Sequence, residues 1–296
     1  MATSLGTWSV RAPLALGPRQ ELGVAALNGK VYAVGGFNAA GAPVATVEVY
    51  DPSTDSWTQR ASLPAPLHHV NVAAVGDRLY VVGALSGGNF TALGTTLAYD
   101  PAADRWTALT PMPSGTERGA SGVAVVGARI YVAGGLRGSS VAEMSAYDTA
   151  SDAWEPLPSM TVARDHLAAA SKDGRVYAIS GRDNGSLRAA LEVFDPGTST
   201  WSTAASILTA RGGCAAAELS GRLVVMGGEG NDSDPNGIFR QTEAYDPATD
   251  RWMTLSPMRT GRHGIGAAVV NGAIYVPGGA TRAGFGAVAD QEVFAF

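Results

Sequence analysis

The sequence predicts an all-β chain built from six similar units, each of four short antiparallel strands. Three observations carry this. The six tryptophans fall at 8, 57, 106, 154, 201 and 252, at spacings of 47 to 51 residues, with none off the grid. An apolar segment running into one or two glycines recurs once per unit: VYAVGG (31–36), LYVVGA (79–84), IYVAGG (130–135), VYAISG (176–181), LVVMGG (223–228) and IYVPGG (274–279). A regular period of this length is the mark of a repeat architecture. The composition agrees, because 46% hydrophobic residues, 16% charged residues and 38 glycines suit a many-turned β chain better than a helical one.

The first unit shows the elements in order. LGVAALN (22–28) and KVYAVGG (30–36) flank Asn28-Gly29, two residues that tolerate the positive φ of a tight hairpin. TVEVYD (46–51) follows, and Asp51-Pro52 opens the next turn, since Pro presets φ and Asp bonds back to the backbone. SWTQR (56–60) is the fourth strand. The turn recurs as AYDP (98–101), AYDT (146–149), VFDP (193–196) and AYDP (244–247). The glycine pairs fit places where a side chain would strike the neighbouring sheet or where φ must be positive.

An Arg before an apolar strand, then a Gly pair, a Tyr-Asp-Pro turn and a Trp resembles the kelch repeat, over essentially the whole chain. The resemblance implies a six-bladed β-propeller around a central channel. It implies one domain over 1–296, with blades at 19–60, 67–109, 118–157, 164–204, 211–255 and 262–296. The last blade is expected to be closed by the N-terminal strand at 5–10, which leaves no open edge. Departures are local: Ala84 and Ser180 each replace a glycine, Thr149 replaces proline, and Val224 replaces tyrosine.

Several classes are excluded. The formal charge is −5 and only Lys30 and Lys172 are lysines, so no basic run invites nucleic acid. The longest apolar stretches, such as 120–135, are broken by Gly and Arg and are too short to span a bilayer. Cys214 is the only cysteine, which rules out an intrachain disulfide framework and a multi-cysteine metal site. The N-terminus shows neither a basic nor an apolar leader region, and the compartment is left open. The Ala- and Gly-rich, Lys-poor composition points to a GC-rich bacterial genome, and a monomer is expected.

Aligned on the second-strand aromatic, the units place Arg19, Arg118, Arg164, Arg211 and Arg262 in one column, with Leu67 in blade two. The next column holds Gln20, His68, Gly119, Asp165, Gly212 and His263. The third holds Glu21, His69, Ala120, His166, Gly213 and Gly264. Every histidine lies in these two columns, which the resemblance puts at the mouth of the channel. The loops after the glycine pairs emerge on the same face. They carry Phe37, Phe90, Phe239 and Phe285, while the fourth loop carries Arg182, Asp183, Asn184 and Arg188. Arginines, imidazoles, carboxylates and aromatics in a concave setting make the usual ligand site.

Two ions are candidates; no motif requires a resident cofactor. For a transition metal, sheets about 10 Å apart separate the blades, so His166 in blade four is expected to stand apart from the others. Alternation along a strand is expected to send His68 and His69 to opposite faces. That leaves Glu21, His69 and His263 as the transition-metal trio. For calcium, DSDPNGIFRQTE (232–243) satisfies the EF-hand loop pattern, with Asp232, Asp234, Asn236 and Glu243 as oxygen donors. Yet the repeat already explains Glu243, because Glu48, Glu192 and Glu292 share its column. The copper-radical oxidases that also use kelch propellers need a cysteine joined to a tyrosine, for which Cys214 has no evident partner. The acidic and histidine spacing of the nitrile-specifier kelch proteins is absent.

Two functions are compatible with this. One is a binding module whose loop face recognises an acidic or aromatic ligand, whether peptide, protein or small molecule. Its contacts would be Arg19, His68, Phe90, Arg118, Arg164, Arg182, Arg211, Phe239, Arg262, His263 and Phe285. The resemblance supports it, since kelch adaptors often grip acidic peptides with the column arginines. The other is an enzyme at the same mouth, either metal-assisted or an acid–base isomerase like the free-standing kelch mutarotases, with Glu21–His69 or Asp165–His166 as the acid–base pair. On either reading His69→Ala or Arg164→Ala is expected to abolish function and spare stability.

Overall fold

The structure, a computed structural model, describes residues 4–296, and among these no helix occurs. Six four-stranded antiparallel sheets are arranged as the blades of a propeller. In blade one, Gly23–Leu27, Lys30–Val34, Val47–Asp51 and Ser56–Arg60 run from the inner to the outer edge. Blade six joins the two ends of the chain. Ala268–Val270, Ala273–Pro277 and Gln291–Ala295 are completed by Thr7–Arg11, with Trp8 opposite Phe294. Closure in this way leaves the sixth sheet without an incomplete blade.

The tryptophan period has a physical cause. Each indole N–H donates to a backbone carbonyl outside its own blade: Trp8 to Ser256, Trp57 to Ala12, Trp106 to Ala61, Trp154 to Thr110, Trp201 to Pro158 and Trp252 to Ala205, at 2.7–3.0 Å. In four blades an aspartate three residues past the Asp-Pro or Asp-Thr turn makes a second link. Asp55, Asp104, Asp152 and Asp250 accept a tyrosine hydroxyl of their own blade and a backbone N–H of the connection that feeds it. Between sheets, apolar clusters fill the space; one joins Val34 and Val49 to Leu79, Leu97 and Tyr99.

The glycine pairs sit where the next blade's entry strand passes. At Gly134, φ is +59° and a Cβ would run into the carbonyl oxygen of Arg164. In two blades the loop after the glycine pair is only a short turn. In blades two and three the middle strands lengthen to Arg78–Ser86 with Thr91–Asp100 and Arg129–Arg137 with Ser139–Asp148. Phe90 therefore sits in the tight turn of a hairpin, at φ +57°.

The five column arginines are not displayed to ligands. All are buried, and they reach back into their own blades. Arg164 donates to the carbonyls of Ser180 and Ala190 and pairs with Glu192 at 2.9 Å. Arg19 pairs with Glu48 at 2.5 Å, Arg211 with Glu243 at 3.2 Å and Arg262 with Glu292 at 3.7 Å. Arg118, whose column partner is Ser145, bonds that hydroxyl and three carbonyls. Burial, only partly offset by the Glu143 carboxylate, pushes its guanidinium down to about 10. Blade two confirms the logic: where the arginine becomes Leu67 the carboxylate column becomes Leu97, and both lie in one apolar cluster. The ligand role expected for Arg19, Arg118, Arg164, Arg211 and Arg262 is thus corrected to a structural one.

The calcium reading is corrected for the same reason. Glu243 is buried on a strand, accepting Thr209 Oγ1 at 2.6 Å and ion-paired with Arg211 at 3.2 Å, so it cannot close an oxygen cage. Asp234 is engaged in the loop's own turn, with Oδ1 accepting the Asn236 N–H at 2.8 Å. Among the described residues Asp232, Asp234, Asn236 and Glu243 form no metal-ligand cluster.

Candidate functional site: the channel mouth

The third column forms a closed backbone ring around the axis. Each residue's N–H donates to the carbonyl of its counterpart one blade back, with the bond from Glu21 to Gly264 closing the circle. The six bonds measure 2.8–3.1 Å. All six residues adopt left-handed backbone: Glu21, His69, Ala120, His166, Gly213 and Gly264 have φ from +50° to +63°. For the four that are not glycine this costs about 1–2 kcal/mol each, a strain that surrounding structure must impose. Its effect is to break strand alternation, so the third-column side chains converge on the axis.

That geometry overturns two expectations. His166 does not stand apart, because its Nε2 lies 2.9 Å from His69 Nε2. The spacing of about 10 Å between packed sheets does not hold at the axis, where all six sheets meet. Nor do His68 and His69 point apart: their Nδ1 atoms are 2.6 Å from each other. Glu21 Oε2 lies 3.3 Å from His69 Nε2, so the trio that gathers is Glu21, His69 and His166. His263, expected in that trio, instead turns its Nδ1 between Glu21 Oε1 at 3.6 Å and Glu229 Oε2 at 3.5 Å.

The surrounding network is dense. Asp165 Oδ1 takes His166 Nδ1 at 2.5 Å and Arg182 Nε at 3.1 Å, while Oδ2 takes Ser140 Oγ at 2.5 Å. Arg182 Nη1 reaches Glu229 Oε1 at 2.6 Å. Burial raises the Asp165 carboxyl, but His166, Ser140 and Arg182 outweigh it and hold Asp165 below the usual range. Burial lowers both His68 and His69, the latter well below an ordinary imidazole.

Above the ring opens a cavity of about 150 Å³. Phe37, Phe90 and Phe285 wall one side, with Phe37 to Phe90 at 5.9 Å and Phe37 to Phe285 at 5.3 Å between ring centres. Glu21, His69, His166, Arg182, Glu229 and His263 face it with polar atoms. Phe285 is about half exposed and Arg182 half-buried, so both are reachable from solvent. Two expected contacts are corrected. His68 is fully buried behind Phe37, stacked on it at 4.0 Å, and Phe239 is buried away from the cavity.

Glu229 and Ser140 escaped the sequence reading. Glu229 was legible, because it follows the Gly227-Gly228 pair in the column of Phe37 and Arg182. The backbone bridges make that column meaningful: Gln20 pairs Phe37, Asp165 pairs Arg182 and Gly212 pairs Glu229. Ser140 lies in a blade-three hairpin that leans over blade four, which no register within a repeat reveals.

A larger depression of about 480 Å³ lies elsewhere, lined by turn-flanking residues such as Gly127, Lys172, Asp173 and Glu218. It gathers no comparable cluster of interacting titratable groups.

Comparison with known proteins agrees with this architecture. The description "KLHDC2/KLHL20/DRC7 Kelch-repeats domain" matches residues 116–279, and "Kelch motif" matches 18–64 and 66–113. Kelch-like protein terF of Aspergillus terreus is 34% identical over 93% of this chain and 64% of its own length. Kelch-like protein 23 of Homo sapiens is 27% identical over 84% of this chain and 43% of its own. The chain therefore spans under two thirds of these relatives. The solved structure of YjhT matches with a TM-score of 0.79 over 96% of this chain and 97% of that one; at 18% identity the likeness is one of fold.

Proposed function

The chain belongs to the kelch-repeat family, and from that premise we propose that it is a recognition module whose channel mouth grips one protruding group of a partner protein or peptide. The observation that carries this is the convergence of three phenylalanines with a polar floor in a cavity of about 150 Å³. Such a volume takes a single side chain, not a folded segment. Kelch-like names among the relatives are consistent with a partner that is a protein.

The ligand's chemistry follows from the charges. Arg182 is the cavity's one arginine, and it is already paired with Asp165 and Glu229. Glu21 adds a further carboxylate. An acidic ligand, suggested by the arginine column, has no free cation to meet. The mouth suits an aromatic or aliphatic body ending in a hydrogen-bond donor, neutral or cationic, with the phenylalanine faces adding cation–π attraction.

A random peptide library screened in EDTA tests this. Enriched peptides should pair an apolar side chain with Lys, Arg or an amide. Phe285→Ala should weaken their binding about 5- to 30-fold, as for an interface anchor, with melting unchanged. Enrichment of acidic peptides, or indifference to Phe285→Ala, would count against the reading. A second reading, acid–base catalysis, is favoured by the Ser140–Asp165–His166 chain, which orients an imidazole toward the cavity as a general base requires.

A further inference from the structure

We propose that Glu21, His69 and His166 bind one divalent first-row transition-metal ion at the channel mouth. The argument is a count of protons. His68 Nε2 faces the Gly87 carbonyl at 3.0 Å, so it carries the proton and donates. Its Nδ1 then has only a lone pair, and the hydrogen on the 2.6 Å contact with His69 belongs to His69 Nδ1. His166 Nδ1 is opposite the Asp165 carboxylate and must donate to it. Both imidazoles have thus spent their N–H, and each presents a lone pair at Nε2, that of His166 also met by Arg182 Nη2 at 3.1 Å. Those two lone pairs face each other at 2.9 Å, with the Glu21 carboxylate oxygen at 3.3 Å from one of them. The three electron-rich atoms have no hydrogen to share with one another, and the donor beside them, Arg182 Nη2, meets His166 alone, so a metal cation would take the place of that contact and join all three.

The setting is that of a metal site. Ligating histidines typically donate the other ring N–H to a carboxylate or another acceptor, which fixes the tautomer and aims the lone pair. Here Asp165 serves His166, and His68 serves His69 while being held by a carbonyl. Two donors on one tetrahedral ion stand about 3.3 Å apart, given metal–nitrogen bonds of about 2 Å; the contacts of His69 with His166 at 2.9 Å and with Glu21 at 3.3 Å are within a few tenths of an ångström of that, and all three donors lie within 4.8 Å of one another. All three donors come from one ring of left-handed residues, and the other ring positions are Ala120, Gly213 and Gly264. At Gly264 a Cβ would collide with the Glu21 carboxylate.

Two imidazoles and one carboxylate match zinc or iron(II) and not calcium, which takes six to eight oxygens. Remaining coordination positions would face the phenylalanine-walled cavity. The inference is independent of the peptide reading above, which is tested without metal.

The test uses the chelator-stripped protein and the metal alone. Titration with cobalt(II) or zinc(II), followed by calorimetry and by cobalt absorption in the visible, should show one ion per chain. His166→Gln and Glu21→Gln should each weaken affinity at least 100-fold. Asp165→Asn, which removes only the group that orients His166, should weaken it about 10- to 100-fold. Should the variants fail to fold, zinc added to the wild type must shift the imidazole 15N resonances of His69 and His166. No ion retained by the folded wild type, unshifted imidazoles, or undiminished binding by folded His166→Gln would each overturn the proposal.

Discussion

Arg164→Leu should cost about 3–5 kcal/mol of folding stability, the usual penalty for breaking a buried ion pair by removing one partner. Arg164 is fully buried, and its loss leaves the buried Glu192 carboxylate without its cation while stripping donors from the carbonyls of Ser180 and Ala190. Glu192 keeps its bonds to Thr161, so the penalty falls on the pair and not on the whole connection. The double variant Arg164→Leu/Glu192→Leu should recover most of the loss. Blade two already carries that solution as Leu67 and Leu97, and a well-packed apolar pair often matches a buried ionic one. Urea denaturation of the two variants checks both statements. A single variant within about 0.5 kcal/mol of wild type, the range of an ordinary surface change, would return the arginines to the ligand face. The sequence reading expected Arg164→Ala to spare stability; burial reverses that expectation.

Trp8→Ala should cost about 3–5 kcal/mol, as for other buried Trp truncations. Trp8 is the buried anchor of the strand that closes blade six, packed at 5.3 Å on Phe294 and bonded to the Ser256 carbonyl at 2.9 Å. Trp154 occupies the same column in blade three but is only half-buried, within a blade made from one continuous stretch of chain. Trp154→Ala should therefore cost clearly less. Equal losses for the two would mean that closure by the N-terminal strand contributes no more than any other blade edge.

Much of this was legible in the sequence because the repeat forces it. Tryptophans at spacings of 47 to 51 residues, glycine pairs and Tyr-Asp turns locate the blades, and the columns locate the channel mouth. Phe90, Arg182, His263 and Phe285 do reach the cavity, as do Glu21, His69 and His166. What the pattern hid was direction. A column says that arginines share a depth, but only packing shows that they turn inward to Glu48, Glu192, Glu243 and Glu292. Strand alternation misplaced His68 and His69 because it presumes extended backbone, whereas His69 has φ +50°. His166 was set aside on the ordinary spacing of sheets, which fails where six of them meet on one axis.

The most direct test of the channel mouth as the functional face is amide hydrogen exchange, with and without a peptide selected by the screen above. Slowed exchange should be confined to the backbone near Phe37, Phe90, Gly284 and Phe285, which border the cavity. Protection centred instead on the turns at 28–29, 76–77 and 173–174, which join the inner strands at the other end of the channel, would contradict the account.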